Sequence, residues 1–440
     1  MARSLLRKEL LVLKLENPNP MRRFPLSLVV MSAVLASSSS FAADDPAAPV
    51  PVQERPGFLK RTLRSILDDN KDEDARGLHW GPFEPRAEII SSGAGPAPVL
   101  HLWAPALGNS GLDFHASGAY SVYGYQYYDV QFGNVPYLGR RLPRTGKGTT
   151  LLFPLSDLER SASVPGFHAY VSARRRDYPR EDFYGVGPTS VLAGRTDYRL
   201  KDDLFEGVIQ TRLSRVSLMA RAGLMRPSIH PGKDSAFPNT ESSNTEETAP
   251  GLSSTSDFTH LAAALWLELR DQPSNPHRGV SLGLAVSRFD DRHATAYQFT
   301  RVVMDAREYI PLGSNRHVIA LRQVVFLDTP DAGSLVPFYL QPSFGSSTFL
   351  RGFGATRFRD NKLLAVGAEY RFDLHQNIQF ALIYEAGEVS PTVHAFSMKR
   401  LKHEYGAGIR LKTLRRILLR VDVLRSSERT RVDLKLGPSF

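Results

Sequence analysis

Arg351 stands in a long polar stretch just ahead of two segments that each carry one glutamate, Glu369 and Glu385. A lone guanidinium offered to two carboxylates is a lock, because charge-assisted and potentially bidentate N–H···O bonds fix geometry as well as energy. Gly352 and Phe353 follow the arginine and Gly387 follows Glu385, so the expected lock is Arg351, Gly352, Phe353, Glu369, Glu385 and Gly387. A static link that keeps the stretch folded and a regulated release of it would use the same residues. Catalysis has a weaker claim. His317, His375 and His403 lack the spacing of a triad, and Gly185-Val186-Gly187 lacks the strand-to-helix setting of a phosphate loop. The chain contains no cysteine, which removes thiolate nucleophiles, thiolate metal sites and disulfides. We therefore read it as a non-enzyme with no catalytic residue, metal or cofactor.

The elements that position these residues alternate in period two. Leu364, Val366, Ala368, Tyr370, Phe372 and Leu374 share one parity, while Gly367, Glu369, Arg371 and Asp373 share the other. That is a strand with one apolar and one polar face. The pattern resumes after His375-Gln376-Asn377, with Phe380, Leu382 and Tyr384 on one face and Gln379, Ile383, Glu385 and Gly387 on the other. The pair reads as a hairpin carrying both glutamates on one surface. About sixteen such segments follow one another from Pro98–Pro105, through Val122–Gly133, Thr149–Leu155 and Gly166–Asp177, to Arg431–Phe440. An even count in this range, with polar and apolar residues alternating, predicts an all-β transmembrane antiparallel barrel.

Connection lengths support it. Asn134–Gly148, Tyr178–Arg195, Arg226–Asp257, Asp328–Lys362 and Val389–His403 are long and fall on one side of the count; Gly313-Ser314-Asn315, Gln376 with its neighbours, and Thr413–Arg416 are short and fall on the other. Outer-membrane barrels sort their loops this way, with tight turns at the periplasm. Arg351 then lies in the sixth outward loop. In the last segment Val432, Leu434, Leu436 and Phe440 face lipid while Arg431, Asp433 and Lys435 face the lumen, and a terminal aromatic strand is a signal for outer-membrane insertion.

Composition agrees. Aromatics make up 10% of the 440 residues, including 16 Tyr and 24 Phe, as expected of strands that cross a bilayer interface. The net charge of +10 calls for an anionic partner. Because arginines alternate with apolar residues inside strand patterns, that partner reads as lipopolysaccharide or anionic headgroups and not as nucleic acid. Residues 1–42 read as a signal peptide, with Met21-Arg22-Arg23, an apolar core from Phe24 to Ala36 and cleavage after Ala42. Translation starting at Met21 is the expectation, with an unusually long n-region as the alternative. Residues 43–95 read as a Pro/Ala-rich periplasmic segment with a short helix over Pro56–Asn70, either a lid or a tether, and 96–440 as the barrel.

Leu350-Arg351-Gly352-Phe353, Gly367-Ala368-Glu369, Ile383-Tyr384-Glu385-Ala386-Gly387 and the strand ending in Phe440 together resemble the BamA/TamA superfamily, also called the bacterial surface antigen family. Asp182–Pro188, Arg270-Asp271, Asn275-Pro276 and Arg278-Gly279 are weaker echoes. In that family the loop tucks into the lumen and its arginine packs against acidic strand motifs. The resemblance implies a bacterial outer-membrane location, insertion by the outer-membrane assembly machinery and a role in inserting or translocating protein or lipid. Ala43–Gly95 is too short for the POTRA domains that bind clients in that family, so a POTRA-less member is expected. Pro98 and Pro105 at the first strand and Pro438 near the end of the last would weaken the seam between them. A passive pore or surface receptor is the alternative.

Overall fold

The computed structural model describes residues 80–436, apart from 89, 92, 108–109, 137–153, 162–163, 254–255, 294–295, 346–348 and 414–416. The expected signal peptide, the expected helix over Pro56–Asn70, Pro438 and Phe440 lie outside these residues. Strands β1 (Phe83–Glu88), β2 (Ala97–Ala104), β3 (Asp113–Tyr120), β4 (Gln126–Gly133), β5 (Gly166–Phe183), β6 (Thr196–Leu213), β7 (Val216–Pro231) and β8 (Phe258–Glu268) form the first half of one sheet. β9 (Gly279–Asp291), β10 (Phe299–Leu312), β11 (Ser314–Pro330), β14 (Lys362–His375), β15 (Ile378–Ser390), β16 (Lys402–Lys412), β17 (Ile417–Ser426) and β18 (Thr430–Leu436) form the second. Each pairs antiparallel with the next, so among the described residues the sheet has 16 strands in chain order, with β1 and β18 at its ends. Two short strands, β12 (Ser343–Phe344) and β13 (Phe358–Arg359), make a separate ribbon inside the 331–361 connection.

The sheet must curl. The Arg357 guanidinium donates to Ser190 O (2.8 Å) in the β5–β6 connection and to Glu428 Oε1 (2.8 Å) in the β17–β18 turn. Those strands are ten places apart in the sheet order. At roughly 4.8 Å per strand a flat sheet would hold them about 48 Å apart. One side chain can touch both only if the sheet wraps round the loop that carries it.

The alternation sorts residues as a barrel in lipid requires. Along β6, Asp202, Glu206 and Gln210 are buried while Phe205 and Ile209 are exposed. Arg176, Arg301, Arg371, Arg410 and Arg420 are among the largest fully buried side chains, whereas Leu282, Leu284, Val286, Leu382, Val432 and Leu434 are exposed. A soluble fold would reverse this. Apolar residues point outward because their solvent is hydrocarbon, and the charges turn inward to one another.

The strand assignments need three corrections. Among the described residues the sheet begins at Phe83, inside the stretch expected to be periplasmic, so β1 and not Pro98–Pro105 is the first strand described. Pro85 therefore takes the place on the edge strand that was expected of Pro98 and Pro105. Pro154 and Leu155, expected to end a strand over Thr149–Leu155, instead begin an α-helix, α1 (Pro154–Ser161), and β4 pairs directly with β5; the rest of that expected strand lies outside the described residues. Helix chemistry wins there, with Pro154 at the first position, Asp157 in the first turn, Arg160 in the last, and Leu155 and Leu158 on one buried face. Because of the extra strand before it, the 134–165 connection also changes ends. It falls on the side of the tight turns at Gly313 and 376–377, so the connection from β4 to β5 is not at the outward end where Asn134–Gly148 was expected.

The lumen is filled from the other end by the 331–361 connection. Val336, Phe338, Tyr339 and Leu340 share an apolar cluster with Tyr125, Tyr178, Phe183, Tyr198, Phe289 and Phe299 on the wall. Phe338 lies 4.8 Å from the Phe183 ring and 5.0 Å from the Tyr198 ring, the second contact edge-on. Phe338→Ala should lower unfolding stability in urea by about 3–5 kcal/mol, as for other buried phenylalanines, while the barrel keeps its heat-modifiable migration on gels. An unchanged urea midpoint would mean that the aromatic cluster does not hold the loop.

Candidate functional site

Arg351 lies 2% exposed inside the barrel. Its Nε and Nη2 donate to Glu385 Oε1 on β15 (3.2 and 3.1 Å), and its Nη1 donates to Asp422 Oδ2 on β17 (2.6 Å). Asp433 on β18 comes within 3.5 Å of Nη1. Burial opposes the charge, but Glu385, Asp422 and Glu369 raise the guanidinium above its ordinary value, so it stays protonated. The backbone joins in. Leu350 N–H donates to Glu385 Oε2 (2.7 Å), Gly352 N–H to Glu404 Oε2 on β16 (2.6 Å), and Ser426 Oγ–H to Gly352 O (3.0 Å). Arg429 Nη2 closes the motif with a bond to Phe353 O (2.7 Å).

The loop approaches the wall through bare backbone. At Gly387 a Cβ would lie 2.7 Å from Leu350 Cδ1 and 2.9 Å from Leu364 O, so any side chain there would push the loop off. Leu350 itself adopts a left-handed conformation (φ 47°) although it is fully buried. A leucine stays there only because the surroundings over-determine it. Phe353 packs edge-on to Phe344 and Phe358 of the inner ribbon, at 6.5 and 5.7 Å.

Glu369 differs from expectation. It bonds Arg371 Nε (3.0 Å) and Arg410 Nη2 (2.9 Å), not Arg351. The register explains why. Glu385 lies opposite Gly367 and Glu369 opposite Ile383, so the two carboxylates sit two residues apart along the wall, about 6.6 Å. The arginine therefore turns toward the closing strands, where Asp422 and Asp433 wait. Val432 and Leu434, expected to face lipid, are exposed on β18; Phe440 and the Leu436 side chain lie outside the described residues.

The third outward loop clamps the same element. Asp182 O accepts from Thr356 Oγ1 (2.9 Å) and Arg359 Nη2 (3.0 Å), and Gly187 N–H donates to Arg359 O (2.8 Å). The Arg357 guanidinium lies 4.9 Å over the Tyr184 ring. Gly185-Val186-Gly187 thus serves as a bracket for the sixth loop.

Residues 208–422 match the Omp85 superfamily domain. The chain thus carries an Omp85 superfamily domain within an outer-membrane β-barrel. Its fold is similar to that of BamA from Haemophilus ducreyi lacking POTRA domains 1–3, with a TM-score of 0.55 and 13% identity over 81% of this chain and 68% of that one. CdiB from Acinetobacter baumannii (TM-score 0.44, 11% identity) and CdiB from Escherichia coli (0.45, 12%) match over 78% and 82% of this chain. This chain spans 57% and 62% of those two. No curated protein matches it.

Sequence reasoning missed five partners in this Omp85 barrel: Glu404, Asp422, Ser426, Arg429 and Asp433, the last read only as facing the lumen. A signal for Asp422 existed, an isolated acid in Leu419-Arg420-Val421-Asp422-Val423 on the lumenal parity. The partner of an inward-tucked loop cannot be chosen, however, without knowing how far along the strands the loop reaches.

Removing the guanidinium leaves buried Glu385 and Asp422 without their shared cation. Arg351→Ala should cost about 3–5 kcal/mol in urea unfolding and Arg351→Lys distinctly less, since the ammonium keeps the charge but not the fork. Equal losses for the two would show that packing and not charge holds the loop. A second outcome concerns pH. Burial raises the Asp360 carboxyl to about 6, despite the Asn361 N–H and Lys362. Its unfolded value is about 3.9, so this residue's contribution is full below that pH and is lost as pH rises through 6. Asp360→Asn should flatten the pH dependence of unfolding between about 4 and 6. An unaltered profile would show that another group titrates there.

Proposed function

We propose that this Omp85 barrel assists the insertion or translocation of protein or lipid at the outer membrane. The observation that carries the reading is the seam: β1 and β18 end the ladder, each paired on one side and not to each other among the described residues. An edge strand presents free N–H and C=O groups in register, which is a template for a client strand. Pro85 lies on β1, where the missing donor loosens any closing pairing. β1 is also short. Six residues span about 20 Å at ~3.3 Å each, less than the roughly 25 Å apolar band of such barrels, so the bilayer beside it would thin.

The filled lumen supports an assembly role over a passive pore, since the sixth loop occupies the path an open channel would need. Outer-leaflet lipids and lipopolysaccharide are its proposed neighbours. Exposed Tyr120, Tyr123 and Tyr128 sit about the β3–β4 end, and Arg199, Arg226 and Arg288 form ion pairs near the outward ends of their strands. The outward apolar face of β18 is the surface we propose for recognition by the assembly machinery during the barrel's own insertion.

Cysteine pairs placed across β1 and β18 test the seam, because the chain has no native cysteine. Oxidation should block the outer-membrane phenotype of the complemented strain, measured by its outer-membrane protein profile and lipid asymmetry, and reductant should restore it. A fully oxidised barrel that complements as well as the reduced one would rule the seam out.

A further inference from the structure

Helix α1 is not absorbed by the assembly reading. It lies in the β4–β5 connection, at the tight-turn end, yet its side chains pack inside the barrel. Leu155 and Leu158 are fully buried in one apolar cluster with Val208, Met219, Trp266 and Val303 of the wall. Gly283 leaves the room: a Cβ there would lie 2.7 Å from the Trp266 ring and 3.0 Å from Leu155 Cδ1. The polar side of the helix is held by three arginines. Asp157 accepts from Arg221 Nη2 (3.1 Å), Glu159 accepts from Arg307 Nη1 and Nη2 (2.5 and 2.8 Å), and Arg270 Nη2 adds a longer bond to Glu159 (3.4 Å).

The cradle connects to the sixth loop in two ways. Phe344, Phe349, Leu350, Phe353 and Phe358 belong to the same apolar cluster as the two leucines. A chain of charges also runs between them, from Arg307 to Asp305 (2.8 Å), from Asp305 to Arg322 (2.7 Å), and from Arg322 to the Phe349 ring, 4.7 Å away and two residues before Arg351.

We infer that α1 is a built-in plug that occludes the lumen from the tight-turn end and must leave its cradle before the sixth loop can move. An eight-residue helix is too short to persist alone in water, so it lasts only while the cradle holds it and unwinds into a tether when released. The two acidic side chains are the release point: they bring the helix to arginines that already pair with Glu206, Asp305 and Glu268 on the wall, so on release the arginines keep partners while the leucines leave a preformed apolar floor. This inference stands whether or not the barrel inserts clients, and it is read out by conductance and accessibility alone.

The test uses the full chain in planar bilayers. Wild type should be closed with rare openings. Asp157→Cys with Arg221→Cys removes one anchor, and its open probability should rise about ten-fold or more, because losing a partly buried ion pair shifts a two-state balance by that order. Joining the two cysteines with a short bis-maleimide should return it to the closed state. Glu159→Gln, which keeps bulk, should open the barrel in the same direction and serves if the paired variant does not fold, as judged by heat-modifiable migration. Leu158→Cys in the Glu159→Gln background should also be labelled by a membrane-impermeant maleimide about ten-fold faster than in the otherwise wild-type chain. A folded Glu159→Gln barrel with wild-type conductance and labelling, or a cross-linked barrel that stays open, would overturn the plug.

Discussion

A positive charge held away from water inside the barrel governs how the rest is arranged. Burying one unpaired ion costs several kcal/mol, so Arg351 can stay inside only where carboxylates converge on it. They come from β15, β17 and β18, three strands of different sequence, and the main chain of the same loop adds bonds to Glu385 and Glu404. Register and loop position therefore enforce each other. A one-residue slip of β17 or β18 would turn Asp422 or Asp433 to lipid, abandoning the guanidinium and exposing a charge to hydrocarbon in the same step. The bulk of the lumen follows the same rule. Around the lock, Arg351, Arg371, Arg410 and Arg420 face Glu369, Glu385, Glu404, Asp422 and Asp433, so near-neutrality is reached locally.

Such pairs add little net stability compared with an apolar core of the same volume, but breaking one is costly. That asymmetry suits an element with two positions. The loop is firm while every partner is in place, and a single lost partner removes more than its share. The same logic separates this lumen from a water-filled channel, whose wall charges would be solvated singly.

Much of this was legible in the chain and some was not, for identifiable reasons. The β14–β15 hairpin could be read because Glu369 and Glu385 interrupt long apolar alternations, and period two leaves only one face for them. The sixth loop could be placed because its length contrasts with the tight turns at Gly313 and Gln376. β1 was missed because Phe83-Glu84-Pro85-Arg86-Ala87-Glu88 carries three charges and a proline. Its inward glutamate and edge position explain that composition only once the sheet is known. α1 was mistaken for the end of a strand because Leu151-Leu152-Phe153 precedes it, and that apolar run outweighed the proline, aspartate and leucine spacing of a helix start. Pairing of Arg351 with Glu385 instead of Glu369 depends on a difference of two residues along a wall, which no pattern in one sequence encodes.

The placement of contacts also makes the barrel unequal around its circumference. α1 is anchored to β7, β10 and the β8–β9 connection, the outward bracket at Asp182 and Gly187 belongs to β5 and its connection, and Arg351 grips β15, β17 and β18. The sixth loop thus ties the far wall to the last strand of the sheet. Any movement that strains the loop, whether from the α1 cradle through Arg307, Asp305 and Arg322 or from the outward bracket, reaches Asp433 through one guanidinium. The last strand feels the state of the lumen directly.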